Sequence, residues 1–102
     1  MGDYLAAIKA ADLTEGSMSA VDLKGEHILL SRIGGDVYAV AGTCTHEEAD
    51  LGNGFLLEDR VVCPLHLSQF DLRTGEAVNP PATVPLRRYN TKEEEETIYV
   101  EI

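Results

Sequence analysis

The sequence predicts an all-β fold with a loop-built segment inserted between its strands. Three observations predict it. Apolar and polar residues alternate at a period of two in the closing stretch ETIYVEI, and tight-turn residues such as Gly34 and Gly35 separate the other strand-like stretches. The middle of the chain, from Gly42 to about Thr83, is rich in Gly, Pro, Asn and Asp, with apolar runs too short for a sheet of any size. At 102 residues the chain forms one domain.

DYLAAIKAADL reads as a strand followed by a short turn, since Gly16 comes too soon for its helical composition to matter. SMSAVDL is the next strand and turns at Lys24 and Gly25. HILLSRI and DVYAVAG form an antiparallel pair across Gly34 and Gly35, two residues that tolerate the positive φ of a tight hairpin. Inside the insert, QFDLRTGEAV makes a small hairpin at Thr74 and Gly75. NPPATVP carries three of the four prolines and runs extended as a stiff connector. Glu93 to Glu96 form a solvated turn between the last two strands. The closing stretch ETIYVEI places Ile98, Val100 and Ile102 on a core face and Thr97, Tyr99 and Glu101 on a wet one.

An apolar fraction of 44% and a charged fraction of 25% are those of a chain that folds into a globule. The formal charge of -10 opposes binding to nucleic acid or to an anionic membrane and favours a basic protein partner. No apolar run approaches the roughly 18 to 20 residues of a membrane span. The N-terminus has neither a cationic leader nor a long apolar stretch, so a cytoplasmic location is expected. In such a reducing compartment the two cysteines are expected as thiols and therefore as ligands.

Those cysteines fall in two clusters, Cys44-Thr45-His46 and Cys63-Pro64-Leu65-His66. Thiolate with imidazole suits zinc, copper or iron–sulfur chemistry and not calcium or magnesium. A structural zinc site usually pairs two cysteines in one knuckle and two histidines in the other. Each knuckle here has one of each, a mixture that serves two metal ions at once, although spacing alone leaves a single zinc open. His27 stands in an expected strand without ligand spacing and is assigned to packing or solvent contact.

The mixed knuckles, with QFDLRTGEA and the proline stretch after them, resemble the Rieske-type 2Fe-2S proteins, and the resemblance to their soluble ferredoxin branch covers essentially the whole chain. It implies an antiparallel β sandwich from about residues 1–41 and 84–102, with a cluster-binding subdomain at about 42–83. It implies one Rieske 2Fe-2S cluster, with Cys44 and Cys63 on one iron and His46 and His66 on the other. Pro80 and Pro81 would match the family's proline loop. Ala49 and Leu65 stand where the high-potential respiratory branch has its disulfide, which excludes that branch. Leu67 follows His66 where glycine is frequent, and a positive φ there would strain a leucine.

Two ferric ions, two sulfides and two thiolates sum to zero with neutral imidazoles, so adding an electron costs less than with four thiolates. With every presumed ligand supplied by protein, the site passes electrons and leaves bond-making to other proteins. The resemblance thus implies a carrier, not itself an enzyme, between a flavin-dependent reductase and a terminal oxygenase, monomeric in isolation. A Rieske-like small subunit of a larger reductase, such as nitrite reductase, is the alternative, and a zinc-binding module the third reading. Glu47, Glu48 and Asp50 beside the first knuckle are expected to steer a basic partner. HLSQF matches the hydrogen-bonding serine of the high-potential branch at Ser68 but has Phe70 where that branch's tyrosine would fall, which implies a potential toward the negative end of the Rieske range.

Overall fold

The alternating stretches become ten strands, β1 to β10, in three antiparallel sheets of a computed structural model that describes residues 2–45, 49–65, 67–79 and 83–102. The strands are β1 (Tyr4–Lys9), β2 (Met18–Leu23), β3 (Glu26–Ile33), β4 (Asp36–Ala41), β5 (Phe55–Leu57), β6 (Arg60–Val62), β7 (Gln69–Asp71), β8 (Arg88–Tyr89), β9 (Thr91–Glu94) and β10 (Thr97–Glu101). One sheet runs β1-β10-β9, the second β2-β3-β4-β8 and the third β5-β6-β7. All seven strand pairings are antiparallel. No helix among the described residues is long and apolar enough to cross a membrane.

Strand β3 is buried on both faces, and its period-two alternation sorts the core into two clusters. Ile28 and Leu30 join Leu13, Ala39, Ile98 and Val100 between the first two sheets. Leu29, with its cross-strand partner Val40, faces the other way, toward Leu51, Val61, Phe70, Leu72, Leu86 and both cysteines. Ile98 and Val100 are fully buried and Ile102 partly, as the alternation of the closing stretch predicts. Tyr89 ties β8 to the start of β3 by donating its hydroxyl to Glu26 Oε1 at 2.7 Å. Burial, with the neighbouring Glu26 carboxylate, pushes that phenol up to about 12.

Three hairpins close through two residues that both have positive φ. Lys24 and Gly25 join β2 to β3, Gly34 and Gly35 join β3 to β4, and Glu95 and Glu96 join β9 to β10. The Gly34-Gly35 turn is held from outside, since the Glu15 carboxylate accepts both amides at 2.7 and 2.8 Å. The bonds from Gly35 and Gly34 hold that carboxyl below its ordinary range. The acidic turn expected at Glu93 to Glu96 is narrower than its composition suggests. Glu93 and Glu94 belong to β9, and Glu93 pairs with Arg32 at 3.1 Å.

The inserted segment departs from expectation in one respect. Its short apolar runs do build a sheet, because three-residue strands suffice when Val61 and Phe70 are buried in one cluster with Leu29 of β3 and Val40 of β4. Phe55-Leu56-Leu57 and Arg60-Val61-Val62 form its first hairpin across Glu58 and Asp59. The expected hairpin after it is present, with Phe70 bridging Ala77 and Gly75 at φ 81°.

The Glu95-Glu96 turn makes a prediction free of any involvement of the metal-binding end. A non-glycine residue in the left-handed region costs roughly 1–2 kcal/mol, and Asn-Gly is the favoured sequence for two such positions. The variant Glu95→Asn/Glu96→Gly is expected to be more stable by about 1 kcal/mol. Denaturant unfolding checks this, and an unchanged or lower midpoint contradicts it.

Candidate metal centre

Each cysteine begins a loop that closes on itself through the cysteine's own backbone. In the first loop the Cys44 amide donates to the Ala49 carbonyl at 2.9 Å, next to an antiparallel bridge between Thr43 and Asp50. The Leu51 amide donates to the Gly42 carbonyl at 2.8 Å one step further down. In the second loop the Cys63 amide donates to the Ser68 carbonyl at 2.7 Å, just past the Val62–Gln69 pair that ends the β6–β7 ladder. Two hairpin ends thus present Cys44 and Cys63 at matching positions.

A third segment is fastened to both loops. The Gln69 amide donates to Asn79 Oδ1 at 2.6 Å and the Val78 amide to the Gln69 carbonyl at 2.8 Å, which joins it to the second loop. Thr45 Oγ1 donates to the Val84 carbonyl at 2.7 Å, which joins it to the first. The proline pair expected to cover the metal centre, Pro80 and Pro81, lies outside the described residues, between these two attachments.

Both cysteines are buried, with Cys63 at 0% and Cys44 at 3% exposure, in one apolar cluster with Val61, Phe70, Leu72 and Leu51. They are not disulfide-bonded. Of the expected ligands the structure therefore brings Cys44 and Cys63 into a common core, while His46 and His66 lie outside the described residues. The donor chemistry suits a thiophilic metal group. Two buried thiols head two closed loops, an imidazole-bearing residue falls within each closure, and the apolar surroundings limit water access.

The second loop contains the strain anticipated from its sequence. Leu67 has φ 56°, and 59% of its surface is exposed. Leu65, two residues earlier, is 47% exposed. Ser68 and Phe70 are fully buried, Phe70 in the same cluster as the cysteines.

Two of the sequence expectations shift around the first loop. Glu47 and Glu48 lie outside the described residues, whereas Asp50 is engaged inward. Its Oδ1 accepts the Gly52 amide at 2.8 Å and contacts His27 Nε2 at 2.9 Å, which lowers its pKa, the His27 bond foremost. His27, assigned from sequence to packing or solvent, instead bridges two carboxylates, since its Nδ1 lies 2.7 Å from Asp22 Oδ1. Only the alternation of β2 and β3 hinted at this, by placing Asp22 opposite His27. A cleft of about 230 Å³ lined by Tyr38, Leu72, Arg73, Arg88, Tyr89 and Asn90 includes neither cysteine.

Residues 3–90 match the family model described as the Rieske [2Fe-2S] domain. The chain is 38% identical over 93 residues to the ferredoxin component of biphenyl 2,3-dioxygenase from Rhodococcus jostii (strain RHA1), covering 91% of this chain and 87% of that one. It is 30% identical over 99 residues to the ferredoxin component of the naphthalene 1,2-dioxygenase system from Pseudomonas putida, covering 97% and 95%. Its structure superposes with a TM-score of 0.91 and 33% identity on a chain from a complex of reduced oxygenase and oxidized ferredoxin in carbazole 1,9a-dioxygenase, covering 96% of this chain and 92% of that one.

Leu67→Gly is expected to raise the thermal midpoint of the metal-loaded protein. Relief of the left-handed leucine, worth roughly 1–2 kcal/mol, outweighs the extra backbone entropy glycine loses on folding, roughly 0.5–1 kcal/mol. Little burial is lost because the side chain is exposed. A fall in the midpoint contradicts the argument.

Proposed function

Since the chain belongs to the Rieske [2Fe-2S] domain family, we propose that it is the ferredoxin component of an aromatic-ring dioxygenase system, carrying electrons from a flavin-dependent reductase to a terminal oxygenase. The observation that carries this reading is the near end-to-end match to such components, 97% of this chain against 95% of the naphthalene-system protein. The chain is an electron-transfer protein that works as a cytoplasmic monomer, part of an oxygenase system and not its catalyst.

The family's cofactor is one Rieske 2Fe-2S cluster. In this reading Cys44 and Cys63 hold one iron and His46 and His66 the other. When bound, the cluster supplies a one-electron couple whose potential is set by ligand charge, burial and hydrogen bonds. The chain's own residues do the rest. The cluster of Leu51, Val61, Phe70 and Leu72 keeps water from the thiolate side, and the two backbone closures set the direction in which each loop presents its ligands.

The surface toward a partner is apolar where the second loop is exposed, at Leu65 and Leu67, and the whole chain carries a net charge of -10. An oxygenase or reductase face that combines an apolar contact with basic residues complements it. The complex of oxygenase and ferredoxin in carbazole 1,9a-dioxygenase supports a partnership of this kind.

Metal and sulfide analysis tests the reading. The purified protein is expected to hold about two iron atoms and two acid-labile sulfides per chain. One tightly held zinc without labile sulfide would overturn it. Replacement of His46 or His66 should disturb the spectrum of the histidine-ligated iron.

The potential supplies a second check. Donors to cluster sulfur favour the reduced form, and Phe70, buried beside the cysteines, offers no hydroxyl. The potential is expected toward the negative end of the Rieske range of roughly -150 to +300 mV, and Phe70→Tyr should move it upward. Voltammetry decides both, and a parent value near the upper end contradicts the assignment.

A further inference from the structure

His27 stands at the foot of the first ligand loop and touches both of its arms. On the ingoing arm, the Gly42 amide donates to the His27 carbonyl at 2.9 Å. The imidazole packs so closely there that a Cβ at Gly42 would meet His27 Cδ2 at 2.7 Å, which leaves room for glycine alone. On the outgoing arm, Nε2 meets Asp50 Oδ1, the oxygen that also accepts the Gly52 amide and starts the short 3-10 turn Leu51–Asn53. Asp50 is the bridge partner of Thr43, and the next rung is the Cys44–Ala49 closure. On the side away from the loop, Nδ1 meets Asp22 of β2.

The charge state follows from this geometry. A neutral imidazole has one N–H and can donate to only one of two ionised carboxylates, and its other nitrogen would set a lone pair against the second. Contacts of 2.7 and 2.9 Å at both nitrogens require an imidazolium. Among the described residues, the titratable groups that bond the ring are Asp22 from β2 and Asp50 from the loop. Glu26, next to His27 on β3, is taken by Arg87 and Tyr89 at 3.1 and 2.7 Å.

We propose that His27 is a positioning residue for the metal centre, a cationic peg that joins both arms of the first ligand loop to the β2–β3 sheet and thereby holds Cys44 in place. This inference rests on the ligand assignment made above.

The bonds to Asp50 and then Asp22 raise the pKa of His27 above its ordinary 6.5, against a smaller opposing effect of burial. A raised histidine stabilises fully below that ordinary value and ceases to do so as pH climbs through the raised one. Asp50, lowered from 3.8, stabilises above that value and ceases to do so as pH falls through its depressed one. The peg is therefore in place between the depressed pKa of Asp50 and the raised one of His27, and is released as pH climbs through the latter.

The test uses the intact iron–sulfur protein and follows iron release to a chelator by loss of visible absorbance, from mildly acid to alkaline pH. NMR titration of His27 gives its own midpoint independently. Wild-type release is expected to accelerate in one step as pH rises through that midpoint, where His27 loses its proton. His27→Gln, which can still hydrogen-bond but carries no charge, should release iron several-fold faster at neutral pH and lose the step. A partner hydrogen-bonded directly to a metal ligand is worth roughly tenfold or more, and His27 acts one link further away. Asp50→Asn should lose the same step, which keeps the inference testable if the histidine variant does not fold. Both variants retain His46 and His66, so the difference from wild type isolates His27. A pH profile unchanged in either variant, or one merely displaced together with a lower thermal midpoint, overturns the proposal. Wild-type protein without iron and sulfide overturns the ligand assignment and this inference with it, whereas bound iron with unchanged profiles overturns the inference alone.

Discussion

Everything at the metal-binding end depends on one strand being buried on both faces. In β3 the alternation of Ile28, Leu29 and Leu30 commits successive side chains to opposite cores, and β4 repeats the pattern with Ala39 and Val40. A slip of one residue in the β3–β4 register would exchange these sets and strip the cysteine-containing cluster of its wall. The Gly34-Gly35 turn, with Glu15 fastened across it, is what prevents that slip. A carboxylate far from the cysteines in sequence thus helps to hold the surface on which they rest.

The two cysteine loops show how few constraints a small metal-binding end needs. Each is a hairpin tip whose last ladder rung lies next to the cysteine amide, so that the direction of the loop is inherited from a sheet and does not rely on side-chain packing alone. The third segment is tied to both tips through Asn79 and Thr45. Strain at Leu67 is tolerated because the Cys63–Ser68 closure and the burial of Ser68 and Phe70 over-determine the backbone around it.

The parts legible in the sequence were those governed by local rules. Period-two alternation marked β10, the Gly34-Gly35 turn marked β3 and β4 as a hairpin, and Leu67 stood out because the resembling family often has glycine there. The sheet formed by β5, β6 and β7 was hidden because strands of three residues are too short to display a period, and their burial comes from β3 and β4, remote in sequence. His27 was misjudged for a related reason. Its partner across the sheet, Asp22, is a matter of register, but its second partner, Asp50, is brought to it only by the folding of the first loop. Cys44 and Cys63 were singled out by residue type and spacing and share one buried cluster, whereas His46 and His66, named as ligands from the family resemblance, lie outside the described residues.

The chain leaves the β2-β3-β4-β8 sheet at Ala41 and comes back to it at Arg87, and the Ala41 amide donates to the Arg87 carbonyl at 2.8 Å. Departure and return are therefore neighbours on adjoining strands. Closing a loop between two points already held together adds little entropy cost as the intervening length grows. The hydrogen bond at the junction is accordingly insensitive to the length of the excursion, whereas the Leu29 and Val40 face of the sheet is not, because Leu51, Val61, Phe70 and Leu72 of the excursion cover it. Such a junction makes the excursion a cassette, exchangeable for a shorter or longer one that brings its own apolar cover for Leu29 and Val40.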